Sequence, residues 1–171
     1  MKWYLPLLLM LCLSACREEE YFTCEQLDTL SLLKEGTSYA LTSDAGEVLV
    51  ITINSRQLSQ GSDRNAENGR RVMHDELRYR CTVQLGDATD NGEFFATSIQ
   101  PVPTELNFDF GANGFTAEGF IETTHFHDTL TVNGIHYTDV FRHHTGTAFS
   151  KEHGIIRAGL SRANEYIQFD R

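Results

Sequence analysis

Apolar and polar residues alternate with a period of two along most of this chain. Leu77, Tyr79, Cys81, Val83 and Leu85 alternate with Arg78, Arg80, Thr82 and Gln84, the pattern of a strand with one buried face. Leu106, Phe108 and Phe110 repeat it after a break marked by Pro101 and Pro103. Tyr39 to Leu41 and Val48 to Ile53 read as two strands joined by a turn at Ser43-Asp44-Ala45-Gly46. Gly154, Ile155 and Ile156, a turn around Ser161 to Asn164, and Tyr166, Ile167 and Phe169 place the chain's end inside the sheet. Residues 54–76 carry no such pattern. They are rich in Ser, Asn, Gly and Arg, so a long loop is expected there, with Arg70 and Arg71 available to an acidic ligand.

One stretch has a helical period. Thr23-x-x-Gln26 has capping-box spacing, Leu27, Leu30 and Leu33 follow on one stripe, and Gly36 supplies a stop; a short helix over 24–34 is expected. The whole pattern predicts an all-β domain of about eight antiparallel strands with one short N-terminal helix. Alternation leaves a sandwich and a curved half-barrel equally open.

Asn133-Gly134 lies between two alternating runs and predicts a two-residue hairpin turn. Val132 then pairs with Ile135, Leu130 with Tyr137, Asp128 with Asp139 and Phe126 with Phe141. One face carries Phe126, Leu130, Val132, Ile135, Tyr137 and Phe141 and should meet the core. The other carries His125, His127, Thr129, Thr131, His136, Thr138 and Arg142. His125 and His127 point the same way and form a candidate pair of metal ligands, against the plainer reading of two solvated rings. Zinc wants a third protein ligand, and His136 lies roughly 13 Å along the ladder from His127. Asp128 opposite Asp139 sets like charges face to face. A bulge, a bridging cation or a raised pKa would relieve them, and a bulge is the simplest of the three. Paired carboxylates also suit acid–base chemistry or a cation site.

Gly86 to Gly92 is expected as a turn. Its Asp87, Thr89, Asn91 and Gly92 match the opening of a calcium loop, but Ser98 stands where that loop needs a bidentate Glu.

The N-terminus changes the picture. Lys2, an apolar run from Tyr4 to Leu13, and small residues before Cys16 have the form of a secretory signal. The run is too short to span a bilayer, which takes roughly 20 residues. Leu13-Ser14-Ala15-Cys16 resembles the lipobox of bacterial lipoproteins, which implies lipidation of Cys16 and attachment to the cell envelope, at the outer membrane. Glu18 to Glu20, directly behind that cysteine, resemble the surface-export signal of Bacteroidota lipoproteins, against the simpler reading of a solvated spacer. The resulting division is a signal peptide over 1–15, an acidic tether over 16–22 and one β-rich domain over 23–171. Elements of the C-terminal third, Asn133-Gly134, Tyr137-x-Asp139-Val140 and Gly154-Ile155-Ile156, resemble a loose pattern of uncharacterised Bacteroidota lipoproteins. That resemblance implies an all-β body and assigns no catalytic residue.

The net charge is −10, and −11 once the first fifteen residues are removed, which argues against nucleic acid as a partner. Export leaves Cys24 and Cys81 as the remaining cysteines, a candidate disulfide in an oxidising compartment. No G-x-S-x-G, H-E-x-x-H or Gly-rich phosphate loop occurs, and no cofactor is implied. The expected function is a non-enzymatic module that binds a protein or small molecule, attached to the membrane by its N-terminal lipid. The alternatives are a hydrolase using His125, His127, Asp128 and Asp139, and a lipid carrier, which requires an apolar cavity.

Overall fold

The computed structural model describes Cys24 and residues 33–64, 71–99, 105–122, 128–163 and 165–171. Their strands are β1 (Ser38–Ser43), β2 (Val48–Arg64), β3 (Arg71–Leu85), β4 (Ala88–Ile99), β5 (Glu105–Ala112), β6 (Phe115–Glu122), β7 (Leu130–Val132), β8 (Ile135–Tyr137), β9 (Val140–Arg142), β10 (Ala148–Ser150), β11 (Gly154–Arg162) and β12 (Glu165–Asp170). All pairings are antiparallel. The order β1-β2-β3-β4-β5-β6-β11-β12 closes on itself, because β12 pairs with both β11 and β1. The all-β, antiparallel expectation holds, and the sheet curls into an eight-stranded barrel. Alternation along a strand is the same in open and closed sheets; closure depends on which neighbour the last strand meets. The signal segment, the lipobox, the tether and most of the expected helix lie outside the described residues.

An eight-stranded barrel has an interior just wide enough for side chains to fill. Tyr79, Phe94, Phe108, Phe110, Phe149 and Phe169 are all fully buried, with Leu41, Leu49, Ile51 and Ile53 around them. Phe94 lies 5.2 Å from Phe110 and meets Phe149 edge-on at 5.8 Å, centroid to centroid. These rings pack against one another in the barrel interior. The closing strand is held on both sides by backbone bonds and by a bidentate pair, with Arg157 Nε 2.6 Å and Nη2 3.2 Å from the two Asp170 oxygens.

Outside the barrel, hairpin β7–β8 makes a second, smaller core. Val132 and Tyr137 pack with Val140, Ala148 and Ile156, and Leu130 leans on them. This explains why all three residues of β10 are buried: Phe149 faces the barrel and Ala148 faces the hairpin. β11 serves both cores through a bulge. Ala148 pairs with Arg157 and Phe149 with Ile155, so Ile156 is the extra residue and turns outward while Ile155 and Ala158 both face in. Tyr137, Val140 and Ile156, from the elements singled out in the sequence, thus help build this second layer.

Two sequence expectations are corrected. The described residues of 54–76 are not a loop: β2 and β3 stay paired from Ser55↔Arg80 out to Arg64↔Arg71, and residues 65–70, with Arg70, lie outside the described residues. Asn54 is the extra residue of a bulge between Ile53 and Ser55. Beyond it Ser55, Arg56, Gln57 and Ser59 are exposed, so little apolar alternation remains to betray a strand. The turn expected over Gly86 to Gly92 is only Gly86-Asp87, because Leu85 already pairs with Ala88. Thr89 and Asn91 are strand residues, so no calcium loop forms.

Candidate ligand site at the barrel seam

β6 pairs with β5 along its whole length, from Glu105↔Glu122 to Ala112↔Phe115. Its other edge pairs with β11 only at Ser161↔Thr116. Past that point β11 takes β10 as its neighbour, and β10 takes β9. Among the described residues no backbone ladder joins β6 to β9. Here the barrel is closed by side chains.

The turn between β9 and β10 supplies the closure. His143 N donates to Thr147 O at 2.8 Å and Gly146 N to His143 O at 3.0 Å. Gly146 takes φ 95°, a conformation open to glycine and strained for other residues. The turn points the imidazole of His143 at β6, where Gly119 leaves room for it. A β-carbon at Gly119 would lie 2.5 Å from His143 Cε1 and 2.8 Å from Nε2. The ring also meets Phe108 edge-on at 5.3 Å and tilts against His144 at 4.0 Å.

Hydrogen bonds fix its tautomer. Thr145 N lies 3.4 Å from His143 Nδ1, and a backbone N–H can only donate, so Nδ1 accepts and the neutral ring carries its proton on Nε2. Thr145 Oγ1, 2.6 Å from the same nitrogen, then donates as well. Burial, followed by the neighbouring His144, holds the pKa of His143 below its ordinary value. Tyr166 fastens the turn from outside. Its hydroxyl donates to Thr145 O at 2.7 Å, over Gly146 and Gly159, where a β-carbon would collide with it.

A cleft opens on each side of this turn. One, about 370 Å³, is lined by Phe120, Ile121, Asp128, Val140, Arg142, His143 and His144. The other, about 430 Å³, lies among Thr116, Glu118, His144, Thr145 and Tyr166. A larger depression of about 790 Å³, among Glu47, Gly86, Asp87 and Asn113, sits at the hairpin turns. It gathers no buried polar group, so the seam is the stronger candidate. There Phe120, half exposed, offers an apolar face. The ion pair Arg142 Nη2–Asp128 Oδ2 (3.0 Å) and the exposed His144 offer polar groups beside it.

The hairpin register expected from Asn133-Gly134 is observed, with Val132↔Ile135 and Leu130↔Tyr137. It stops there. Asp139 takes φ 51° and bends the chain, and only Val140 N→Asp128 O at 3.1 Å continues the pairing. Each carboxylate has its own cation: Asp128 meets Arg142, and Asp139 Oδ1 lies 3.9 Å from Lys151 Nζ. Asp128 borders the seam cleft and Asp139 sits at the bend. His125 and His127 lie outside the described residues, among which no cluster of three or more metal-ligating side chains occurs.

The disulfide is corrected. Cys24 and Cys81 are buried free thiols. Cys24 Sγ donates to Asp75 O and Ala96 O, beside Leu77, the residue that pairs with Ala96, whereas Cys81 pairs with Ile53 and Gly92 farther along β3. Four residues of strand separate Leu77 from Cys81, roughly 13 Å, against a Cα separation of about 4.4–6.8 Å for a bridge. Burial pushes the two thiols up to about 11 and about 12.

Sequence reasoning missed His143, Gly119 and Tyr166. A signal for Gly119 was present, since a lone glycine inside a strand marks close approach of another group. No family model matches this chain, and neither the curated proteins nor the solved structures hold a significant match.

Proposed function

We propose that this protein is a binding module, tethered to the bacterial envelope by a lipid on Cys16, that meets its ligand at the seam between β6 and β9. The observation that carries the site is the break in the backbone ladder. Everywhere else around the barrel, neighbouring strands bind each other; here an edge of β6, a buried imidazole and an exposed phenyl ring border an open cleft. The interior filled with aromatic rings supports a ligand held at the surface rather than one enclosed. Phe120 beside the Arg142–Asp128 pair suits a molecule or peptide side chain with one flat apolar face and a hydrogen-bonding group. Leu13-Ser14-Ala15-Cys16 supports the tether, and the acidic run Glu18 to Glu20 supports exposure at the outer surface.

Two measurements test this reading. Mass spectrometry of the mature protein should find Cys16 as an acylated N-terminus; an unmodified Cys16 removes the anchor. A fragment library screened by NMR should give hits that shift Phe120, Arg142 and His144 and are lost in Phe120→Ala. Hits confined to other surfaces would remove the seam as the site.

A further inference from the structure

His143 occupies an unusual position for a titratable group. It is buried, it closes the one flank where β6 lacks a ladder among the described residues, and its Nδ1 is committed as an acceptor. Protonating that nitrogen turns it into a donor facing the Thr145 N–H, which is also a donor. The Thr145 contact is then lost, and the Thr145 hydroxyl must rotate to accept. The charge also forms against apolar surface, because β5 presents Phe108 to the ring and β6 presents Gly119 and Phe120.

We propose that His143 is an acid-sensitive latch: protonation of Nδ1 releases the His143–Thr147 turn from β6 and opens the cleft to a ligand. This rests on the seam being the binding site. Among the described residues, the charged groups nearby do not compensate a new cation well. Asp128 is already held by Arg142, whose own positive charge borders the same cleft. Glu118 lies across His144, in the neighbouring cleft, and is solvated. His144, in ring contact, lowers the proton affinity of His143 rather than offering it an anion. Tyr166 binds Thr145 O and stays neutral throughout the relevant range.

The direction in pH follows from linkage. With the folded pKa of His143 held below its ordinary value of 6.5, the unfolded or opened chain binds the proton more tightly. The closed seam is therefore most stable above pH 6.5 and weakens as the pH falls through 6.5 towards the folded value.

Amide exchange of the full chain in detergent, followed by NMR at pH 7.5 and 5.5 without ligand, tests the latch. After correction for intrinsic exchange, the amides of His143, Thr145 and Gly146 should lose protection by about tenfold, in step with the titration of the His143 ring nitrogens. The amides of Ile51 and Val83 should keep theirs. His143→Asn retains an acceptor near the Nδ1 position and cannot titrate, so its seam should show no such pH response. If that variant does not fold, His143→Phe, which cannot accept, should be open at both pH values. Unchanged protection in the wild-type protein, or an equal loss in the variants, overturns the latch while leaving the binding site standing. Ligands that bind elsewhere would overturn the site and leave the latch standing.

Discussion

The two flanks of the barrel are closed by different physics. From β1 round to β6, long registers bind each strand to the next; β3 and β4 pair from His74↔Ile99 to Leu85↔Ala88. From β6 to β9, among the described residues, closure rests on one imidazole against one glycine and on a turn fastened by one tyrosine. A ladder distributes its bonds over many residues, so losing one is a local event. A side-chain plug concentrates them, so a single proton or methyl group decides whether it stays in place. The seam is accordingly where a conditional function can reside without weakening the barrel.

Substitutions sharpen this contrast. The largest loss is expected in the shared interior: Phe94→Ala, which removes a fully buried ring, should cost about 3–5 kcal/mol in urea denaturation. Next are two glycines on opposite flanks. A β-carbon at Gly111 would lie 2.1 Å from the backbone oxygen of Phe115, which the β5–β6 ladder fixes. Gly111→Ala should therefore cost about 3 kcal/mol or more. At Gly119 a β-carbon meets backbone strain at φ 158° and the His143 ring, which can swing out, so Gly119→Ala should cost about 1–2 kcal/mol and flatten the pH dependence of stability below pH 6.5. Equal losses at the two glycines would erase the distinction between ladder and plug. Tyr166→Phe, losing the bond to Thr145 O, should cost about 0.5–1.5 kcal/mol and raise amide exchange in the turn alone. The smallest effect is on the thiols. A reductant should leave the melting temperature unchanged, and Cys24 and Cys81 should resist alkylation until the protein unfolds.

Much of the ladder flank was legible in the sequence. Leu77 to Leu85 and Leu106 to Phe110 alternate because one face of each meets the core, and Asn133-Gly134 fixed its hairpin because few residues accept positive φ at both turn positions. Asn113-Gly114 turns β5 into β6 with the same backbone signs, a signal of equal strength. The outer part of β2–β3 was illegible because exposed strands need no apolar period. The seam was illegible for another reason. His143 and Gly119 are distant in sequence, and their contact exists only because β11 exchanges β6 for β10 part-way along its length. Asp128 and Asp139 show the converse: the register was sound only to Leu130↔Tyr137, two pairs short of them, and the bend at Asp139 takes the place of the expected bulge.

Native-state hydrogen exchange at neutral pH, in low concentrations of urea, tests the difference between the flanks most directly. If side chains alone close the seam, the amides of His143, Thr145 and Gly146 exchange through a local opening that is insensitive to urea. Those of Ile51, Val83 and Phe94 would exchange only with global unfolding. Equal opening free energies and equal urea dependence on both flanks would contradict the account.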